Sequence, residues 1–180
     1  MAIVITIIVA VVLIGSAVGG WFRYDKRRLR ASFGPEYETV AQIHDTPREV
    51  DRELRRRKSV HGELDLRPIS VEDQKFYATS WEHLQGDFLD DPTLSLISAE
   101  QLVTKLLDAR GYPGADPDEQ IALLSVEHAN TLADYRTAQQ ISRHAQATPA
   151  STPTEDRRQA LLSYHAFFNE LLARADPANA

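Results

Sequence analysis

The first 22 residues constrain this chain more than any other stretch. The segment from Ala2 to Phe22 contains no ionisable side chain, and twelve of its 21 residues are Ile, Val, Leu or Phe. A helix of this length measures about 31 Å, which matches a bilayer hydrocarbon core of about 30 Å. A helix also pairs its own backbone groups in lipid, which an isolated strand does not. We therefore expect residues 1–22 to form a transmembrane anchor.

A basic cluster follows the apolar run and predicts its orientation. The cluster consists of Arg23, Lys26, Arg27, Arg28 and Arg30. Because basic flanks stay in the cytoplasm, we expect the N-terminus outside and the C-terminal domain in the cytoplasm. The same side chains are expected to contact anionic lipid headgroups, each contributing about 1 kcal/mol. A cleaved signal peptide would instead carry its basic residues before a shorter apolar core.

Small residues recur near the end of the apolar run. Gly15 and Gly19 form a small-xxx-small pair, and Ser16 and Gly20 repeat it one position later. Such a face allows two helix backbones to approach closely. The span is therefore expected either to contact another membrane helix through these four residues or to be an ordinary anchor.

The charge distribution separates a basic neck from an acidic body. Residues 23–58 contain 11 basic and 7 acidic side chains, whereas residues 59–180 contain 9 basic and 19 acidic ones. Nucleic-acid binding needs a basic face, so the body is not expected to bind nucleic acid. The chain has no cysteine, which excludes disulfides and thiolate metal sites.

Helix-start and helix-stop signals recur along the body and predict an all-α fold. Proline follows a capping residue at Thr46-Pro47, Asp91-Pro92 and Asp116-Pro117, and Gly111 to Gly114 forms a stop. No segment alternates with period two, so no sheet is expected. We predict one N-terminal transmembrane helix followed by a compact bundle of about five to six short helices. The predicted parts are an anchor (1–22), a basic neck (23–32), a helical domain (33–175) with a flexible linker at about 146–153, and a disordered tail (176–180).

Aromatic residues cluster in one of the predicted helices. Phe76, Tyr77, Trp81, Leu84 and Phe88 follow one another near helical spacing. We expect Phe76, Tyr77 and Trp81 to lie in the core, with a partner-binding groove as the alternative.

No motif in the chain predicts catalysis, a cofactor or a metal site. No two of the six histidines are three or four residues apart, and no His-Glu-x-x-His, Gly-x-Ser-x-Gly or phosphate-loop pattern occurs. The carboxylate pairs Glu72-Asp73 and Asp90-Asp91 lie at helix starts, where they stabilise the helix dipole. The basic run from Arg52 to Lys58 is expected either to form ion pairs on a solvated face or to lie on an anionic membrane surface.

Several short motifs occur in order between Phe33 and Leu172. They are Phe33-Gly34-Pro35-Glu36-Tyr37, Glu63-Leu64-Asp65-Leu66-Arg67-Pro68, Asp90-Asp91-Pro92, Arg110-Gly111-Tyr112-Pro113, Leu124-Ser125-Val126-Glu127-His128 and Tyr135-Arg136. With this set, the chain resembles a group of uncharacterised single-span, membrane-anchored helical proteins common in actinobacteria. The resemblance implies a single-pass location in a bacterial plasma membrane and implies no known activity.

These patterns favour a membrane-tethered cytoplasmic scaffold that binds protein partners, or copies of itself, and catalyses no reaction. One alternative is an accessory subunit of a multi-subunit membrane complex. Actinobacterial respiratory supercomplexes contain single-span subunits of this size, which is an analogy of architecture. A second alternative is a small-ligand-binding or hydrolytic domain with a pocket between helices.

Overall fold

The computed structural model describes residues 28–173, and these residues contain helices and no strand. Helical residues 28–33 precede seven α-helices, which confirms the all-α class. The helices are α1 Pro35–Ala41, α2 Pro47–Gly62, α3 Val71–Asp87, α4 Pro92–Arg110, α5 Pro117–Leu124, α6 Ala129–Ala147 and α7 Thr154–Ala173. The described part of the body thus has seven α-helices rather than the five to six expected, and two of them, α1 and α5, contain only seven and eight residues.

Among residues 28–173, no helix combines the length and the apolar character that a membrane span requires. The predicted anchor, with Gly15, Ser16, Gly19 and Gly20, lies outside the described residues. Arg23, Lys26, Arg27 and the tail at 176–180 lie outside them as well.

Local capping bonds explain where most helices begin. Thr46 and Glu49 form a reciprocal capping box, since each backbone N–H donates to the other side chain, at 3.1 and 3.3 Å. The Ser70 hydroxyl accepts from the backbone N–H of Asp73 at the start of α3. Asp91 and Asp116 cap α4 and α5 in the same manner, each through its Oδ1 atom.

The described residues fall into two compact units that divide between Arg56 and Arg57, within α2. In the second unit, α7 packs mainly against α6 and α4, and α3 packs against α4. The α3–α4 pair is antiparallel: Tyr77 near the start of α3 bonds the Lys105 carbonyl near the end of α4. The segment 146–153, predicted as a linker, includes the end of α6 and a 3-10 helix, Pro149–Ser151.

Aromatic side chains of α7 occupy the centre of the second unit. Phe168 stacks on Trp81 of α3 at 4.9 Å between ring centroids, and Phe167 stacks on Tyr135 of α6 at 4.3 Å. Tyr164 packs edge-on against Tyr135. These rings join three helices in one core, and aromatic pairs add stabilisation beyond the area that they bury.

The prediction that Phe76, Tyr77 and Trp81 all lie in the core was wrong for Phe76. Tyr77 and Trp81 are buried, whereas the Phe76 side chain is 62% exposed. Neighbouring residues of an α-helix differ in direction by about 100°, so Phe76 and Tyr77 do not share a face. Phe76 instead lies on the outer edge of the α3–α4 pair.

His165 of α7 gives the fold a dependence on pH. Its ring stacks on Trp81 at 4.8 Å and 8°, and burial lowers the pKa of His165 below its usual 6.5. The unfolded chain therefore takes up this proton more readily than the folded chain. The His165 contribution to stability is complete above pH about 6.5 and is lost as the pH falls through the folded pKa.

Replacing His165 with phenylalanine keeps a planar ring over Trp81 and removes the titrating group. We expect the free energy of unfolding of the His165→Phe protein to fall less than that of the wild type between pH 7 and pH 5. Urea denaturation of the full chain at a series of pH values, followed by circular dichroism, measures this difference. Identical pH dependence in the two proteins would contradict the assignment.

Candidate functional site

A groove of about 520 Å³ runs along the outer side of the α3–α4 pair. Its apolar lining comes from Phe76 and Leu84 of α3 and from Leu94 and Leu102 of α4. Leu84 and Leu102 are buried and form the floor, whereas Phe76 and Leu94 remain 62% and 57% exposed at the edges. Large apolar side chains left in water beside a concave surface are typical of interaction sites.

Charged side chains are distributed unevenly along this groove. Asp87, Asp90 and Asp91 lie at the end where α3 turns into α4, and Lys105 lies at the opposite end. Asp91 is engaged as the cap of α4. Within residues 28–173, neither Asp87 nor Asp90 forms an ion pair. The groove therefore presents an acidic end to solvent.

Within the described residues, no hydrogen bond joins the polar side chains that line the groove to one another. The Ser80 hydroxyl donates to the Phe76 carbonyl of its own helix at 2.8 Å. Ser95 is 2% exposed, and its Oγ atom has no hydrogen-bond partner among the residues that the structure describes. His83 and Asp87 share one face of α3, but no hydrogen bond joins His83 to a serine or a carboxylate in this part of the chain. A nucleophile activated by a neighbouring base needs such a bond.

A second cluster of polar side chains lies inside the second unit. The ring of His128 contacts Glu170 through Nδ1 at 2.9 Å and the Tyr112 hydroxyl through Nε2 at 3.4 Å. The same hydroxyl lies 3.5 Å from His61 Nε2, which in turn lies 3.9 Å from Glu127 Oε1. This polar chain connects α2, the loop after α4, the start of α6 and α7.

One set of proton positions satisfies the polar chain. A carboxylate accepts hydrogen bonds, so the Nδ1–H of His128 donates to Glu170. With a neutral ring, the Nε2 atom of His128 accepts from the Tyr112 hydroxyl. The Tyr112 oxygen then accepts from the Nε2–H of His61. His128 is fully buried, and Tyr112 is 2% exposed, so a substrate in solution does not reach them. The polar chain joins these helices and loops through buried contacts.

A smaller pocket, of about 270 Å³, lies in the first unit. Its lining includes Arg30, Tyr37 and His44. The Arg30 guanidinium lies 4.5 Å from the centre of the Tyr37 ring and 3.5 Å from a Glu38 oxygen. Burial, followed by the charge of Asp51, raises the pKa of Tyr37. This pocket is small and polar compared with the groove on α3 and α4.

The predicted lipid-contact residues are only partly within the described chain. Arg28 and Arg30 are exposed on helical residues 28–33, and Arg30 also pairs with Glu38. The other three lipid-contact residues and the four predicted helix-contact residues lie outside the described residues. Neither Arg28 nor Arg30 lines the groove on α3 and α4.

No group of three or more histidine or acidic side chains in residues 28–173 has a geometry that fits a metal ion. Comparison of the chain with known proteins found no matching family model, no matching curated protein and no matching solved structure.

Sequence reasoning offered a groove at Phe76, Tyr77 and Trp81 only as the alternative to a core position, and it missed the polar chain. The groove had one local signal: adjacent Phe76 and Tyr77 cannot both face the core, so one of them had to lie outside it. The polar chain had no local signal, because Tyr112 lies 51 residues after His61 and 16 residues before His128.

Proposed function

We propose that this protein is a membrane-tethered interaction protein whose cytoplasmic helical body binds a protein partner in the groove between α3 and α4. The observation that carries the proposal is the groove itself, which has exposed Phe76 and Leu94 at its edges and three carboxylates at one end. The apolar run at residues 2–22 supports the tether, and the basic cluster behind it supports a cytoplasmic body. A tether raises the local concentration at the membrane, so a modest affinity suffices for a scaffold.

Co-purification of the full chain in mild detergent tests this proposal. We expect specific proteins to accompany the wild type and the Leu162→Glu variant but not the Leu94→Glu variant. Leu162 is a matched control, since it is an exposed leucine (43%) on α7 that does not line the groove. Equal recovery of the same proteins with both variants, or of none with the wild type, would contradict the proposal.

The small residues of the apolar run favour the accessory-subunit alternative. Gly15 and Gly19 would allow the span to pack against another membrane helix. In that case Gly15→Leu with Gly19→Leu abolishes co-purification, and Leu94→Glu leaves it unchanged. Cysteine accessibility at the two chain termini, using single introduced cysteines, tests the orientation in the membrane that both alternatives share.

A further inference from the structure

We propose that the occupant of the groove is a cationic amphipathic helix of three to four turns, with its basic residues at the end formed by Asp87 and Asp90. This inference rests on the proposed function and names the chemistry of the partner. Three properties of the groove support it: its open apolar edges, its one-sided charge and the buried hydroxyl of Ser95.

The apolar edges favour a helix over a small molecule. Pockets for small ligands bury most of the ligand surface, whereas Phe76 and Leu94 remain more than half exposed at the edges of this groove. Between Phe76 and Asp87 the groove follows α3 for about 17 Å, and from Asp91 to Lys105 it follows α4 for about 21 Å. A helix of about 12 to 14 residues has this length, and its apolar face repeats at i, i+3, i+4 and i+7.

The charge of the groove determines the polarity of the partner. Asp87 and Asp90 are exposed at one end with no ion pair in the described part of the chain, and Lys105 lies at the other end. Lysine or arginine in the partner turn that lies over Asp87 and Asp90 would complement these carboxylates. Such rim charges mainly raise the association rate and fix the direction in which the partner lies.

Ser95 supplies a polar contact on the otherwise apolar wall of α4. Ser95 lines the groove, and its Oγ atom is shielded from solvent and lacks a hydrogen-bond partner among the described residues. Buried hydroxyl groups are normally bonded, so a group left without a partner points to a ligand that completes it. When the Ser95 side chain rotates toward the groove, a polar side chain of the partner helix, placed between its apolar anchors, would bond this hydroxyl.

Selection of displayed peptides tests the inference. The probe is a library of 14-residue peptides with apolar residues at i, i+3, i+4 and i+7 and random residues elsewhere, selected on the full chain in lipid nanodiscs. We expect enriched peptides to carry lysine or arginine at one end and to bind the Leu162→Glu control like the wild type. Leu94→Glu is expected to weaken their binding at least thirtyfold, because it places a charge against the apolar face.

Milder variants separate the three contributions to binding. Asp87→Asn with Asp90→Asn is expected to weaken binding threefold to tenfold at low salt and to reduce its salt dependence. Ser95→Ala is expected to weaken binding threefold to tenfold through the lost hydrogen bond. Circular dichroism of each variant verifies that the helical content is retained.

Several results would overturn the inference. They are a selection that enriches no peptide, enriched peptides that are acidic, and peptides that bind the Leu94→Glu variant as tightly as the wild type. A dimer of the full chain that Leu94→Glu converts to a monomer would identify a second copy as the occupant instead. Loss of co-purifying proteins in Leu94→Glu without enrichment of basic peptides would contradict this inference and leave the proposed function standing. Enrichment of basic peptides without any co-purifying protein would contradict the proposed function and leave this inference standing.

Discussion

Replacing Gly111 with alanine is expected to destabilise the helical body by about 3 kcal/mol. Gly111 has a φ angle of +91°, which L-residues rarely adopt, and a Cβ atom there would lie 2.6 Å from the backbone oxygen of Asp65. The 65–66 backbone must therefore move, although it is held nearby by the bond from the Arg67 N–H to the Arg110 carbonyl. Thermal or urea denaturation of the full chain, followed by circular dichroism, measures the loss.

Gly86→Ala is the matched control for this substitution. Gly86 lies in α3, and an added Cβ atom meets no other atom within 4 Å. Because alanine is the better helix former, we expect this variant to be more stable than the wild type by about 0.5 to 1 kcal/mol. Equal stability changes in Gly111→Ala and Gly86→Ala would show that the turn after α4 does not need a glycine.

The Tyr112→Phe variant is expected to lose about 2 kcal/mol of stability. The substitution removes only the hydroxyl oxygen, which lies between His128 Nε2 at 3.4 Å and His61 Nε2 at 3.5 Å. Both imidazole rings lose their contact with the hydroxyl, and because both rings are buried, water does not replace it. The variant is also expected to change the ¹⁵N chemical shifts of both rings, because each Nε2 atom loses its contact with the hydroxyl.

Tyr135→Phe is the control for Tyr112→Phe, since both tyrosines are 2% exposed. The Tyr135 hydroxyl accepts from the Gln139 side chain at 3.1 Å, and Gln139 is only partly buried. Water replaces this bond more easily, so we expect a loss below about 1 kcal/mol. A Tyr112→Phe protein as stable as Tyr135→Phe would show that the polar chain contributes little to folding.

The helix boundaries were predictable because the signals that set them are local. Thr46 with Glu49, and Asp91 and Asp116 before proline, each bond within three residues, so the sequence contains the whole interaction. The stop at Gly111 is similarly local: its N–H donates to the Asp108 carbonyl, and the Tyr112 N–H donates to the Leu107 carbonyl. These patterns were enough to predict the fold class and most of the individual helices.

The candidate site was not predictable, because it depends on which helices pack together. The spacing of these aromatic residues does not determine whether Phe76 or Tyr77 faces α4 and α7. That choice follows from the pairing of Trp81 with Phe168, 87 residues later in the chain. The histidine contacts were not predictable for the same reason. A search for short spacings does not detect a contact between distant residues such as His61 and Tyr112.

The three residues Arg110, Gly111 and Tyr112 give the second unit a corner where distant segments meet. Arg110 donates to the Leu171 carbonyl across 61 positions of the chain, and Tyr112 contacts His61 across 51. The α3–α4 pair, by contrast, is joined by a turn of only a few residues. Closing a long loop requires more ordering of the chain before any contact compensates for it. We therefore expect helical hairpins to assemble early and this corner to close late, so that the corner determines how long the folded state persists once formed.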